Sequence, residues 1–230
     1  MALRTVQQYV ESLRDGRVIY LNGERVRDVT THPILKRGVE TCSALYRLTH
    51  DPRYHDLVVY RTETGEESSF LYSPVRTRED LLRVRDIVLT FARINLGHVG
   101  GVRFTGRDVL NTLTVVAART DREHKTNYSQ RVNLLRQNLM KNDLDIVAAM
   151  TDVKGDRRLR PSEQKPHQDY YVRIVGERKD GIVVRGAKFH ISSTPFANEI
   201  LVCPTRAMRE QDKDYAVAFA TPLNAKGITL

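Results

Sequence analysis

Ala149-Met150-Thr151-Asp152-Val153-Lys154-Gly155-Asp156-Arg157-Arg158-Leu159-Arg160-Pro161-Ser162 opens the stretch that decides the fold, and Asp180-Gly181-Ile182-Val183-Val184-Arg185-Gly186-Ala187-Lys188 closes it. The residues just ahead, Asp145-Ile146-Val147-Ala148-Ala149, read as a short buried strand that feeds a long polar loop. Two strands joined at Lys179-Asp180-Gly181 then return to the core. Polar loops of that length in compact domains are functional or disordered segments. This one carries Thr151, Ser162 and a run of backbone N–H groups suited to a cofactor. For Thr151 the competing reading is a strand-end hydroxyl that bonds its own turn.

Working outward, residues 170–175, 181–184, 199–202 and 215–219 also read as strands separated by turn signals. Upstream the pattern is mainly helical. Thr5-Val6-Gln7-Gln8 has the capping-box spacing and starts a helix through Leu13. Asn22-Gly23, between Val18-Ile19-Tyr20 and Val26, predicts a tight hairpin. Ile34, Val39, Cys42 and Leu45 are spaced for one helix face, ended by Asp51-Pro52. Thr77 caps a predicted helix over 78–95 with Leu81, Val84, Val88 and Phe91 as its buried stripe. Further helices are expected over 106–119 and over 127–142, the last with Tyr128, Val132, Leu135 and Leu139 on one face. The reading is α+β: a mainly helical domain, 1–142, followed by a β-rich domain, 143–230.

Composition excludes several classes. No apolar run approaches the roughly 18 residues of a membrane span, and the start of the chain lacks a secretory signal. Cys42 and Cys203 read as reduced thiols of a cytoplasmic protein, with no metal-ligand spacing. The net charge of +9 invites nucleic acid, but the 37 basic residues are interleaved with 28 acids, as on a solvated surface. The densest basic cluster, Arg157-Arg158-Leu159-Arg160, suits an anionic ligand such as a pyrophosphate. No nucleic-acid and no membrane partner is expected.

Met150-Thr151-Asp152 with Lys154-Gly155-Asp156-Arg157, then 180–188, then Ala207-Met208 with Asp212-Lys213-Asp214-Tyr215-Ala216-Val217, resemble the 4-hydroxyphenylacetate 3-hydroxylase / 4-hydroxybutyryl-CoA dehydratase family of flavoproteins. The likeness starts at Gln8-Tyr9-Val10-Glu11-Ser12-Leu13, covers the rest of the chain, and is nearer the dehydratase branch. The resemblance implies an acyl-CoA-dehydrogenase-like N-terminal helical domain and a partial β-barrel domain. It implies FAD, and a homo-oligomer, tetrameric in the family. Relatives continue past a point like Leu223-Asn224-Ala225-Lys226-Gly227-Ile228, complete the barrel and add a helical bundle. The chain is therefore expected to be about half of such a protein: truncated, split, or one piece of a two-chain enzyme with a C-terminal-half partner. By resemblance, Met150, Thr151, Asp152 and Lys154 meet the flavin from one segment, and His190, Ser192 and Ser193 from a second. Donors near the ring tune the electronics of the reduced flavin. His190 has a competing reading as a satisfied core histidine.

The reacting positions depart from the family. Where the dehydratase branch carries Cys-x-x-x-Cys, this chain has Gly100 and Phe104. Neither ligates iron, so no metal cluster is expected. Where the hydroxylase branch carries an Arg-x-x-x-Tyr pair the same two residues fail, although Arg103 supplies a basic group in a shifted register. The histidine that branch places ahead of the flavin strand end is Ala148 here, which transfers no proton. His98, between glycines beside the expected pocket, is a candidate acid or base; its bland reading is a solvent-facing loop histidine. The candidate catalytic residues are thus His98 and Arg103. Three readings follow: a monooxygenase that hydroxylates a phenol with reduced FAD from a flavin reductase, a cluster-free CoA-thioester enzyme, and a non-catalytic member.

Overall fold

Local signals set the first elements. Thr5 has an extended backbone, its hydroxyl accepts the Gln8 N–H, and the Gln8 side chain accepts the Thr5 N–H. Those bonds satisfy donors that a helix start leaves open, and helix α1 follows as Val6–Ser12. Asn22 and Gly23, at φ 53° and 84°, turn strand β1 (Ile19–Leu21) into β2 (Glu24–Val26), the geometry an Asn-Gly pair favours. The computed structural model describes residues 3–98, 102–165 and 167–230.

The single helix expected around Ile34 to Leu45 is two, α2 (Lys36–Cys42) and α3 (Ala44–His50). They meet at Ser43, whose hydroxyl donates to the Val39 carbonyl at 2.7 Å. Ile34 precedes both and is 61% exposed, so it leaves the expected stripe. Helix α4 (His55–Val58) leads into a hairpin that periodicity did not announce, β3 (Val59–Arg61) with β4 (Glu67–Ser69). Strands of three residues are too short for alternation to stand out.

Three longer helices follow: α5 (Arg78–Ile94), α6 (Val102–His124) and α7 (Tyr128–Lys141). In α5 the fully buried positions are Ile87 and Phe91, while Leu81 points to solvent. Helix α6 starts before and ends beyond the expected 106–119. Gly106, the first residue of the expected range, lies in its interior, where the helix presses on the Ile146 carbonyl. In α7 Leu139 is buried as expected, but Tyr128 is exposed and Arg136 takes a buried place.

The remaining strands are β5 (Ile146–Ala149), β6 (Arg173–Arg178), β7 (Gly181–Arg185), β8 (Glu199–Val202) and β9 (Phe219–Pro222). Strand β8 sits centrally, parallel to β5 and antiparallel to β9, while β6 and β7 form their own ribbon. The strands expected at 170–175 and 215–219 are corrected: each start is a 3-10 turn, Gln168–Tyr170 and Glu210–Tyr215. The tyrosines at these turns pack inward, with Tyr171 and Tyr215 edge to face at 6.4 Å. The fold is mixed helix and sheet, and no closed barrel forms among the described residues.

One apolar cluster crosses position 142. It joins Tyr9, Leu13, Val39 and Tyr46 to Val147, Ala149, Ile200 and Leu223. Tyr9 and Tyr46 stack at 4.5 Å, and the Tyr9 hydroxyl donates to the Phe196 carbonyl at 2.8 Å. Beside them Arg103 donates to Asp145 at 2.7 Å, to Asp143 at 2.8 Å and to the Tyr46 hydroxyl at 3.2 Å, tying α6 to the approach of β5. Among the described residues no helix is long and apolar enough to cross a membrane.

Candidate functional site

The candidate site is built where β5 runs out. The Ala149 carbonyl accepts the Cys203 N–H at 3.1 Å, and beyond it the chain leaves the sheet as Met150-Thr151-Asp152. Lys188 holds this exit. Its ammonium donates to the Met150 carbonyl at 2.9 Å, the Cys203 carbonyl at 2.7 Å and Asp152 Oδ1 at 2.5 Å. The second Asp152 oxygen accepts the Thr205 hydroxyl at 2.6 Å. The side chains of Lys188 and Asp152 are 9% and 2% exposed. A pair so deeply buried is tolerable because added hydrogen bonds satisfy its remaining donors and acceptors. The Phe189 N–H donates to the Thr151 carbonyl at 2.9 Å, which ties the two expected cofactor segments together.

This knot presents an open face. Met150 and Phe189 are 40% and 54% exposed. Thr151 is half-buried, and its hydroxyl makes no hydrogen bond among the described residues, so it does not bond its own turn. Lys154 takes a left-handed φ of 75° and its carbonyl accepts the Tyr171 hydroxyl at 3.4 Å. His190, at φ 56°, is exposed rather than a core residue, and its ring lies edge-on to Phe189 at 4.1 Å. Ser192 is exposed, and Ser193, at φ 63°, leads into the turn Thr194–Phe196. Asp152 differs from the others: both its oxygens are occupied inside the knot.

Beneath the face lies a small cleft lined by Asp152, Tyr171, Lys188, Val202, Met208 and Tyr215, with about 10 Å³ of free space. That admits one water and no flavin ring, so a ring would rest on the outer face. Exposed Met150 and Phe189 beside the open Thr151 hydroxyl fit such a group: apolar for its plane, polar for its edge. The basic cluster is mostly committed. Arg158 pairs with Asp156 at 2.8 Å and Arg160 with Asp212 at 2.5 Å, leaving Arg157 exposed and without an ion pair among the described residues. A larger cleft, about 320 Å³, lies elsewhere, lined by Leu13, Arg17, Val26 and Val29, and holds none of the expected site residues. Among the described residues no group of three or more His, Cys, Asp or Glu could hold a metal ion.

The family described as 4-hydroxyphenylacetate 3-hydroxylase N terminal matches residues 5–230. The chain belongs to the 4-hydroxyphenylacetate 3-hydroxylase family. It is 36% identical to the 4-hydroxybutyryl-CoA dehydratase/vinylacetyl-CoA-Δ-isomerase of Clostridium aminobutyricum, over 98% of this chain and 46% of that protein. It is 33% identical to the 4-hydroxyphenylacetate 3-monooxygenase oxygenase component of Thermus thermophilus, over 98% of this chain and 45% of that protein. Among solved structures, an oxygen-tolerant archaeal 4-hydroxybutyryl-CoA dehydratase from N. maritimus superposes with a TM-score of 0.92 at 31% identity, over 99% of this chain and 45% of that one. An oxygenase component of 4-hydroxyphenylacetate 3-monooxygenase complexed with FAD superposes at 0.82 with 32% identity, over 97% and 45%. The chain spans about half the length of the curated relatives it matches.

Within the hydroxylase family frame, the reacting positions fall as follows. Gly100 lies outside the described residues. Phe104 is buried, its ring edge-on to Phe91 at 5.2 Å. Ala148 is half-buried in β5. His98 is exposed just past α5, its N–H donating to the Asn95 carbonyl at 3.1 Å. Arg103 is 2% exposed, and each of its guanidinium nitrogens donates inside the protein, to Asp145, Asp143 and the Tyr46 hydroxyl. Sequence reasoning missed Lys188 and Thr205 as the residues that hold the strand end. Lys188 meets Asp152 from 36 positions away, a separation that no local pattern reports.

It also missed Asp212, which anchors the long loop. That carboxylate accepts from Arg160 at 2.5 Å, the Ser162 hydroxyl at 2.7 Å, the Ser162 N–H at 3.2 Å and the Arg209 N–H at 3.1 Å. Burial pushes its pKa up, but the bonds to Ser162 and Arg160 outweigh burial and hold it well below the usual carboxylate range. A carboxyl depressed in the folded state stabilises above its unfolded pKa, about 3.9, and loses that contribution as pH falls further. Urea unfolding at stepped pH should therefore show an acid limb beginning near pH 4, flattened in Asp212→Asn, which should also be less stable at neutral pH. Identical limbs in the two proteins would remove Asp212 from this role.

Proposed function

We propose that this chain is the N-terminal, flavin-facing portion of an FAD-dependent oxygenase component that hydroxylates a phenolic substrate, with reduced FAD delivered by a separate flavin reductase. The observation that carries the reading is the open face at the end of β5, where an unbonded Thr151 hydroxyl lies beside exposed Met150 and Phe189. Support comes from oxygenase-component relatives solved with FAD and with FAD and 4-hydroxyphenylacetate. The bound flavin supplies the oxygen chemistry. This chain's part is to orient it: Thr151 bonds the ring edge, Met150 and Phe189 keep water from its plane, and Ser192, Ser193 and His190 border it. Lys154 shapes the turn that follows, and Arg157 is the remaining cation for a pyrophosphate.

In the same reading, 1–142 is the helical domain of an acyl-CoA-dehydrogenase-like plan, and 143–230 is part of a barrel that a C-terminal portion completes. The assembled protein is a homo-oligomer, a tetramer by family likeness. The cytoplasm is its proposed location, on the two-cysteine composition. A second reading, CoA-thioester chemistry, is favoured by the identity and overlap with the dehydratases. Gly100 and Phe104 make it a cluster-free version.

The test is FAD titration of the 230-residue chain, alone and with the C-terminal half of a relative. Thr151→Ala should weaken binding about threefold to tenfold, the worth of one hydrogen bond. Unchanged affinity removes Thr151 from the site. Absence of binding in either form would leave the non-catalytic reading standing.

A further inference from the structure

Charge bookkeeping among the buried cations singles out two. Arg17 has Asp15 at 2.7 Å, Arg103 has Asp143 and Asp145, Arg160 has Asp212, and Lys188 has Asp152. Each of these side chains meets an acid that is itself largely withdrawn from solvent. Arg107 and Arg136, 5% and 6% exposed, do not. Among the described residues Arg136 donates only to neutral acceptors: the Tyr72 carbonyl, Asn111 Oδ1 and the Thr114 hydroxyl, each at 2.9 Å. Arg107 donates from Nη1 to Asp108, whose carboxylate is 67% exposed. Its Nε is buried with no partner, and its Nη2 makes no bond among the described residues.

Nε and Nη2 form one edge of the guanidinium fork, the edge that grips a carboxylate or phosphate with two parallel bonds. Positions 107, 111 and 114 share one face of α6, spaced i, i+4, i+7. Arg136 is bonded to the last two of these, so both guanidinium groups lie along that face. Burial pushes the Arg136 pKa down, and the charge of Arg107 pushes it the same way. Two like charges held together in the interior without a buried acid disfavour folding. An anion at the unpartnered edge of Arg107 reverses that.

We infer that Arg107 and Arg136 form a binding site for an oxyanion on the substrate, the carboxylate of a phenolic acid or a phosphate of a CoA ester. The choice of ligand rests on the proposed oxygenase reading; the charge argument does not. The geometry also makes Arg107, not Arg103, the cation with donors to spare.

Thermal melts and calorimetry on the wild-type chain, Arg107→Met and Arg107→Lys test the site. The probes are 4-hydroxyphenylacetate, 4-methylphenol (the same ring without the carboxylate), coenzyme A and inorganic phosphate. Without ligand, Arg107→Met should melt no lower than wild type, because it removes a buried charge that no buried acid offsets; a structural cation would give the opposite sign. One organic anion should stabilise wild type and bind Arg107→Met at least about tenfold more weakly, with Arg107→Lys intermediate because it keeps the charge and loses the fork. A response to 4-hydroxyphenylacetate and none to 4-methylphenol assigns the carboxylate; a response to coenzyme A assigns the phosphate. Stabilisation by inorganic phosphate alone would mean an adventitious ion only and overturn the inference. So would a lowered melting point in Arg107→Met together with equal responses to every probe. Loss of FAD binding with these anion responses intact would sink the oxygenase reading and leave the site.

Discussion

Replacing Arg103 by methionine should destabilise the chain by about 3–5 kcal/mol, the cost of leaving buried charge without its partner. The guanidinium stands between Asp143 and Asp145, whose side chains are 3% and 0% exposed. Burial pushes the Arg103 pKa down, but the two carboxylates outweigh it and hold it well above its usual range. Burial pushes the Asp145 carboxyl up, Arg103 pulls it back, and the net shift is upward. Without Arg103 the Asp145 carboxyl would be driven further towards the neutral form. An acid raised in the folded state contributes its full stability below its unfolded pKa and loses it as pH rises through the folded value. The deficit of Arg103→Met should therefore be largest at neutral pH and shrink towards pH 4, read by urea unfolding at each pH. A loss below about 1 kcal/mol at neutral pH, typical of an exposed pair, would show that the group is hydrated. Adding Asp145→Leu should recover part of the loss, since apolar replacement of a whole buried ion group is often tolerated.

Gly106→Ala should also be strongly destabilising, although helix propensity alone argues the other way by about 1 kcal/mol. A Cβ at 106 would lie 2.1 Å from the Ile146 carbonyl oxygen and 2.7 Å from its carbon. Backbone cannot yield as a flexible side-chain tip can, so α6 and β5 must separate. Overpacking of this kind costs about 1–3 kcal/mol or more, which outweighs the propensity gain. The displacement is carried along β5 to Met150 and Thr151, so FAD affinity should fall together with the urea midpoint. Gly181→Ala, with nothing within 4 Å of its added Cβ, is the control and should stay within about 0.5 kcal/mol. A stabilised Gly106→Ala would mean that α6 does not rest on β5.

What was legible in the sequence is what is local. The Thr5 cap, the Asn22-Gly23 turn, the Thr77 start of α5 and the short runs that became β5 and β8 all carry their determinants within a few residues. The errors share a cause: the deciding partner is distant. Leu81 has the spacing of a buried stripe, but the packing of α5 against its neighbours rotates Ile87 inward instead. The apolar starts of 170–175 and 215–219 read as strand, yet Tyr171 and Tyr215 pack on each other from irregular backbone and 3-10 turn. At the candidate site a motif drew attention to Thr151, whereas the hold of Lys188 on the Met150 carbonyl and Asp152 carried no local signal. Arg103 drew attention as a charge beside the motif positions, and only the fold brings Asp143 and Asp145 to it. Arg107, one helical turn on, carried no signal in the sequence at all; its unpartnered guanidinium edge emerges only when burial and bonding are taken together.

The last residues of the chain close a loop with the first. The Leu230 N–H donates to the Val18 carbonyl at 2.9 Å, and its own carbonyl accepts the Tyr20 N–H at 2.8 Å. Tyr9 reaches Phe196, and Arg4 reaches Asp143 and Asn198. Contacts across such separations must close large entropic loops before they return any energy, and domains dominated by them fold slowly. On the ribosome the early helices would wait, apolar faces uncovered, until β8 and β9 emerge. The nascent chain is thus the vulnerable species, and chaperone demand during synthesis should exceed what the stability of the folded chain suggests.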